Sequence, residues 1–333
     1  MLPLPLLFQS QIPLELLRLA RVHCEEPVYR QILADWVERY GGEEGRLLCR
    51  FFRRGAVLRH DPSTWQTLSA SEARLVAPFS DLVLGIGDRL VLPLTETQTI
   101  TMNWVPSGDS WLGGGGGEEG TSPFSLKNGL WCGIYPITQE QWQLVMGNNP
   151  SHFEGKPTNP VERVSYDDVQ EFLQKLNDAH RANGFLYRLP SANEWEYILR
   201  GGPIPKYQSQ YDYYFARSKT DLSAVASNDL TSWQATIRRY PSEGAGTIGD
   251  FLGIDHKNTS TVGNYIPNPL GMYDMHGNVW EWTITKGGTS RVRCGGGWND
   301  SQDYCTASIR FYLDPVSRHR NLGFRILTVS GEG

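Results

Sequence analysis

The run Cys294-Gly295-Gly296-Gly297-Trp298, followed by Cys305, Arg310, Pro315 and Gly323-Phe324-Arg325, constrains this chain more than any other stretch. Three glycines before a tryptophan require a tight backbone reversal beside a bulky ring. Gly-Phe-Arg closes the segment with a second turn and a second core aromatic. Such a frame suits a loop-rich α+β architecture better than a helical bundle. The filling obeys no such rule. Asn299, Asp300, Asp303, Tyr304, Thr306, Ser308, Ile309, Phe311, Tyr312, Leu313, Ser317, His319 and Arg320 show neither helical nor strand period, and they set bare apolar side chains in a polar stretch. They are expected to line one solvent-facing, ligand-binding surface held by Trp298, Arg310 and Phe324. The other reading, with Phe311 and Leu313 as ordinary core, stays open.

At 333 residues the chain is long enough for two domains, or for one large domain with an appendage. A net charge of -5 argues against nucleic acid as the main partner. No apolar run reaches the roughly 20 residues that span a bilayer. The opening MLPLPLLFQSQIP lacks a basic start and a cleavage site and carries prolines in its apolar run, so the expected compartment is the cytoplasm. The cysteines, at 24, 49, 132, 294 and 305, are odd in number and none forms a C-x-x-C. Reduced, buried thiols are expected, with a Cys294–Cys305 bridge open only for an exported protein.

Residues 1–90 read as a helical module, with one helix around Leu14, Leu17 and Ala20. A second opens near Pro27 and stops at Gly41-Gly42, and a third runs from about Glu43 to Arg54. Its stretch Tyr29–Gly41 resembles a small bacterial helical module that implies no chemistry. After residue 90 the pattern changes. Ile100–Pro106 alternates as a strand, and Gly113–Gly117 with Glu118-Glu119 forms a loop that lacks the Gly-Lys-Ser/Thr of a phosphate cradle. Three capping boxes follow, Thr138 with Gln141, Ser165 with Asp168, and Ser191 with Glu194, each opening a helix. Trp131–Ile137, Phe185–Leu189, Met272–Met275, Val279–Ile284 and Gly323–Val329 read as short strands, with long loops over about 203–262.

Five ordered motifs carry a resemblance. They are Tyr135-Pro136-Ile137-Thr138-Gln139 with Met146–Ser151, then Asn159–Tyr166, Tyr187–Tyr197, Gly271–Trp282, and the Gly295–Arg325 frame. Together they resemble the formylglycine-generating-enzyme (sulfatase-modifying factor) domain over residues 98–330. The resemblance implies a C-type-lectin-like fold. Enzymes of that family oxidise a substrate cysteine through a copper-binding cysteine pair. Here the second of the pair falls on Cys305 and the first on Asp300. A carboxylate cannot supply the soft thiolate that Cu(I) prefers, so no copper is expected and the chain reads as a non-enzyme.

Among non-catalytic relatives are the variable proteins of diversity-generating retroelements, whose last few dozen codons are mutated at adenines. The filling residues are of the kinds that adenine-rich codons become, which makes 295–327 the candidate variable region. The resemblance thus implies a diversified ligand-binding protein, with a protein ligand as the expected partner. An altered oxidase and an undiversified regulatory domain are the alternatives. It also implies a calcium site, with side-chain oxygens from Asp274 and Glu281 and carbonyls from Gly277 and Val279. The alternative, that both carboxylates simply bond the turn, stays open.

Overall fold

The computed structural model describes residues 27–54, 66–214, 257–265 and 267–330, together with 16, 19 and 20. The expected first helix and most of the expected 203–262 loops lie outside the described residues.

Among the elements described end to end, the first are helices α1 (Pro27–Tyr40) and α2 (Gly42–Phe52). The strand β1 (Thr67–Leu68), the helices α3 (Ala70–Val76) and α4 (Ser80–Val83), and the strand β2 (Arg89–Pro93) follow. Gly42 at φ 61 supplies the left-handed residue that lets α2 start beside α1. The described part of the expected helical module is mainly helical and also holds the two-residue strand β1. β1 and β2 pair with each other, and β2 pairs antiparallel with β3 (Thr99–Val105), so the helices are fastened directly to the main sheet. Leu33, Val37, Phe51 and Phe52 share one buried cluster with Leu90, Met102 and Trp104.

The hairpin of β4 (Gly108–Leu112) and β5 (Ser122–Leu126) then leads into β6 (Leu130–Gly133). α5 (Gln139–Met146), α6 (Tyr166–Ala179), β7 (Phe185–Arg188) and α7 (Ala192–Leu199) come next. All three expected capping boxes close in both directions, at Thr138 with Gln141, Ser165 with Asp168, and Ser191 with Glu194. The C-terminal half adds β8 (Trp280–Gly287), β9 (Ser290–Cys294), β10 (Arg310–Leu313), β11 (Leu322–Gly323) and β12 (Leu327–Ser330). The six-stranded sheet runs β1-β2-β3-β6-β12-β7, and a four-stranded sheet runs β10-β9-β8-β11.

Residues 272–275, expected as a strand, form an irregular turn in which Asp274 takes φ 60. Asp274 hydrogen-bonds Gly263 N, and Tyr273 N bonds Ile134 O, so the segment is held by loops rather than by a ladder. Aromatic residues tie the helices to the C-terminal frame. Trp142 stacks on Phe172 at 5.3 Å, and Phe324 meets both rings edge-on at 6.0 and 5.3 Å. Among the described residues no helix is long and apolar enough to cross a membrane.

Candidate ligand-binding face

Gly295 and Gly296 leave β9 with φ 101 and 77, the left-handed reversal that three consecutive glycines predict. A Cβ on Gly296 would lie 2.3 Å from Cys305 Sγ, so the glycine lets residue 305 close onto the turn. Trp298 follows, buried, with Nε1 donating to Arg320 O at 3.0 Å and its ring edge-on to Phe153. One tryptophan thereby joins the start of the segment to its end.

Further anchors hold the middle. His276 Nδ1 donates to Cys305 O at 2.5 Å, while its Nε2 accepts from Tyr214 N. Arg310 pairs with the buried Glu196 at 2.9 Å, and Glu196 also holds Arg200 at 2.8 Å and accepts from Gly113 N. Tyr166 N bonds Pro315 O, Arg163 N bonds His319 O, and Arg318 pairs with Asp168 at 2.7 Å. Residues 295–325 are thus a braced platform.

On this platform the expected site residues part ways. Cross-strand partners share a face of a sheet. Phe311 lies opposite Arg293, Leu313 opposite Arg291, and Tyr312 opposite Val292. Phe311 therefore joins Trp280 at 5.3 Å and Tyr304 at 5.6 Å on one side. Around them stand Asn299, bonded by Asn321, Asp300, bonded by Trp280 Nε1, the exposed His319, and Arg320 over the Trp298 ring. Tyr312 is exposed on the other side, against Gly287. Ser308 turns away to the Gly115 loop beside Asp212. Asp303 is exposed and Ser317 half-buried.

Three expected residues are corrected. Thr306 is buried, because Ala307 N is drawn to Asp212 O and pulls the backbone inward. Ile309 and Leu313 are half-buried and pack against the main core, so they support the platform rather than display area. Trp280 and Arg293 were not foreseen on this side. The alternation Arg291-Val292-Arg293-Cys294 was the signal that could have found Arg293.

The residues expected for calcium do not fit it. Both oxygens of the buried Glu281 are taken, at 2.7 Å by Arg325 Nε and Nη2 and at 2.6 Å by Trp195 Nε1. Asp274 accepts from Gly263 N through Oδ2 and has one orphaned oxygen, Oδ1. One free carboxylate oxygen beside a guanidinium is a poor start for an ion that takes six to eight oxygens. Burial pushes Asp274 up to about 7, against the Gly263 N–H and the Arg325 charge that pull it down. Among the described residues no three His, Cys, Asp or Glu side chains converge as a metal cluster.

Nor do Asp300 and Cys305 suit a copper pair. Asp300 Oδ2 accepts from Trp280 Nε1 and from Gly297 N, at 2.6 and 2.9 Å. Cys305 is fully buried, and burial drives its thiol well above the ordinary range, as it does for Cys294. These two are free thiols, so the bridge left open between them is not formed. Iodoacetamide at pH 8 is expected to alkylate Cys294 and Cys305 only after denaturation, which mass spectrometry of native and unfolded samples would check. Rapid native labelling of Cys305 would contradict the packing.

His276 carries a second expectation. Burial lowers it to about 3, against a bonded Cys305 carbonyl that favours the charged ring and a nearby Arg200 that does not. Below its unfolded value near 6.5 the unfolded chain gains a proton that the native ring refuses. Stability from this group is thus complete above that pH and is lost as pH falls toward 3. The difference between wild type and His276→Gln should shrink by about 1.4 kcal/mol per pH unit below 6.5. Urea titrations of both proteins at several pH values measure it. The buried Asp274 and Glu162 work in the opposite direction, but they are common to both proteins.

A cleft of ≈ 1280 Å³ lies elsewhere, lined by Trp104, Trp131, Leu186 and Arg188 among others, and holds none of the expected ligand-binding residues.

Comparison with known proteins places this geometry. The sequence model described as the sulfatase-modifying factor enzyme 1-like domain matches residues 89–329. A protein named chaperone protein LppX from Paenibacillus barcinonensis is 30% identical over 262 residues, 64% of this chain and 86% of that protein. The formylglycine-generating enzyme of Mus musculus is 30% identical over 55% of this chain and 50% of its own length, so the chain spans about half of that enzyme. A protein named inactive C-alpha-formylglycine-generating enzyme 2 from Bos taurus is 28% identical over 62% of this chain and 61% of its own length. Among solved structures, Treponema denticola variable protein 1 superposes with a TM-score of 0.54 at 23% identity, covering 71% of this chain and 97% of that one. The likeness shows the fold, which is the C-type-lectin-like α+β arrangement expected from the motifs.

Proposed function

This chain belongs to the sulfatase-modifying factor enzyme 1-like family, and within it we propose a non-enzymatic protein that offers its C-terminal face to a protein ligand. One observation carries the reading. Tyr304 and Phe311 stand 45% and 36% exposed and in mutual contact, on a platform whose backbone is braced by Trp298, His276, Arg310 and Arg318. Exposed aromatics on a rigid support give large contact area at little entropic cost, which is how recognition surfaces are built.

The chemistry of the former copper positions points the same way, since Asp300 is spent on Trp280 and Gly297 and Cys305 is enclosed. Family membership does not dictate oxidation, because the Bos taurus relative is itself named inactive. The names of two similar proteins, a chaperone and a variable protein, accord with a protein partner. Residues 295–327 are the region we assign to diversification.

The test is the DNA flanking the gene. A near-copy of codons 295–327 that differs almost only where it carries adenine, beside a reverse transcriptase, would establish diversification, and the varied codons would name the contact residues. Without such a repeat the face is an undiversified recognition surface. Copper-dependent oxygen consumption on a cysteine peptide would refute the non-enzymatic reading.

A further inference from the structure

β9 alternates Arg291, Val292, Arg293 and Cys294. Val292 and Cys294 enter the core with Trp195, so both arginines emerge on the opposite side, about 7 Å apart along the strand. That side is the one bearing Trp280 and Phe311. Arg293 lies 4.5 Å over the Trp280 ring and 6.0 Å from Phe311, and Arg291 lies 4.4 Å over Tyr166. Each Nε is enclosed without an acceptor.

The other arginines of the segment are satisfied. Arg310, Arg318 and Arg325 each meet a carboxylate, at 2.9, 2.7 and 2.7 Å. Arg291 and Arg293 form no ion pair among the described residues. Asp300 is near enough to favour the charge of Arg293 but has Oδ2 committed to Trp280 and Gly297. Opposite Arg291, Lys286 adds positive charge to the neighbourhood, while burial and then the charge of Arg293 lower the pKa of His319. A half-buried guanidinium whose Nε lacks an acceptor has lost hydration there, and a ring face beneath it compensates only in part. Its planar fork matches a carboxylate with two parallel bonds.

We propose that Arg291 and Arg293 form an anion-binding floor under the face, which takes carboxylates from an acidic loop of a protein partner. Both precede the candidate variable region, so the floor supplies a constant anchor while Tyr304, Phe311, His319 and Arg320 select the loop. A protein carboxylate fits better than a free phosphate, because Tyr304 and Phe311 offer apolar area that only flanking residues of a polypeptide can cover. The inference rests on the reading of this face as a binding surface.

The experiment is to pan a library of disulfide-cyclised random peptides on the full chain and measure the enriched peptides against variants. Enriched peptides are expected to share an Asp or Glu. Its amide replacement and Arg293→Gln should each weaken binding by about ten- to a hundredfold. The two changes together should cost little more than either alone. Arg293→Lys, which keeps charge without the fork, should fall between, and melting temperatures confirm that each variant folds. Peptides that lose binding on Phe311→Ala but carry no acid, or that ignore Arg291→Gln and Arg293→Gln, overturn the floor and leave the face standing. Peptides indifferent to Phe311→Ala and Tyr304→Ala overturn the face, as does a panning that enriches nothing. Saturable binding of inorganic phosphate that Arg293→Gln abolishes would assign phosphate and overturn the carboxylate.

Discussion

Arg325→Met is expected to destabilise the chain by about 3–5 kcal/mol, the cost of leaving a buried charge without its partner. Burial by itself would lower the pKa of Arg325, yet Glu281 holds it above the ordinary arginine range. Both side chains are fully buried. The guanidinium also donates to Gly133 O and Tyr273 O, at 3.2 and 2.8 Å, so one group ties β6, the 272–275 turn and β8 together. Methionine fills similar volume but orphans Glu281 and two carbonyls. Glu281→Gln should cost less than Arg325→Met, because the amide oxygen can still accept from Arg325 or Trp195 although the charge of Arg325 is no longer balanced. Urea midpoints of the three proteins measure the order. Equal stability of Arg325→Met and wild type would remove the pair from the centre of this fold. Calcium provides a companion measurement: with Glu281 committed to Arg325, saturating calcium should leave the wild-type midpoint where it was. A calcium-dependent rise would mean that the pair opens to admit an ion.

Gly296→Val is the second large effect. Valine is poorly tolerated at φ 77, with strain of about 1–3 kcal/mol, and its Cβ would sit 2.3 Å from Cys305 Sγ and 3.0 Å from Tyr304 O. Overpacking adds about 1–3 kcal/mol. The turn at Gln302–Cys305 must shift to make room, and it carries Tyr304 away from Phe311. Loss of stability and loss of peptide binding are therefore expected together. Gly288→Val offers the contrast: φ 64 gives similar strain, but no atom lies within 4 Å of its Cβ, so binding should persist. Binding lost equally in both variants would mean that backbone strain, and not displacement of Tyr304, governs the face.

Local rules made the helices legible. Thr138, Ser165 and Ser191 each begin a helix because the bonds that cap it lie within four residues, and nothing distant can easily overrule them. The glycine reversal before Trp298 was legible for the same reason. The expected strand at 272–275 failed because apolar Met272 and Met275 enter the core from a turn, each buried without strand pairing. The short strand β1 inside the expected helical module was not legible, because it exists only through pairing with β2, a partner distant in sequence that periodicity does not reveal.

The binding surface divides in the same way. Composition marked 299–320 as a displayed segment, since bare aromatics among polar residues have no local structure to serve. Which of them share a side was decided by β10 pairing with β9, which sends Phe311 toward Arg293 and Tyr312 away. Thr306 went inward because Asp212, far away in sequence, offered a carbonyl to its neighbour. The sequence alone determined the caps, the glycine turn and the family, all of which depend on residues near one another or on ordered motifs. Only the tertiary structure could decide the Arg325–Glu281 pair, the fate of the calcium ligands and the arginine floor. Each of these depends on what a side chain meets after strands from opposite ends of the chain have come together.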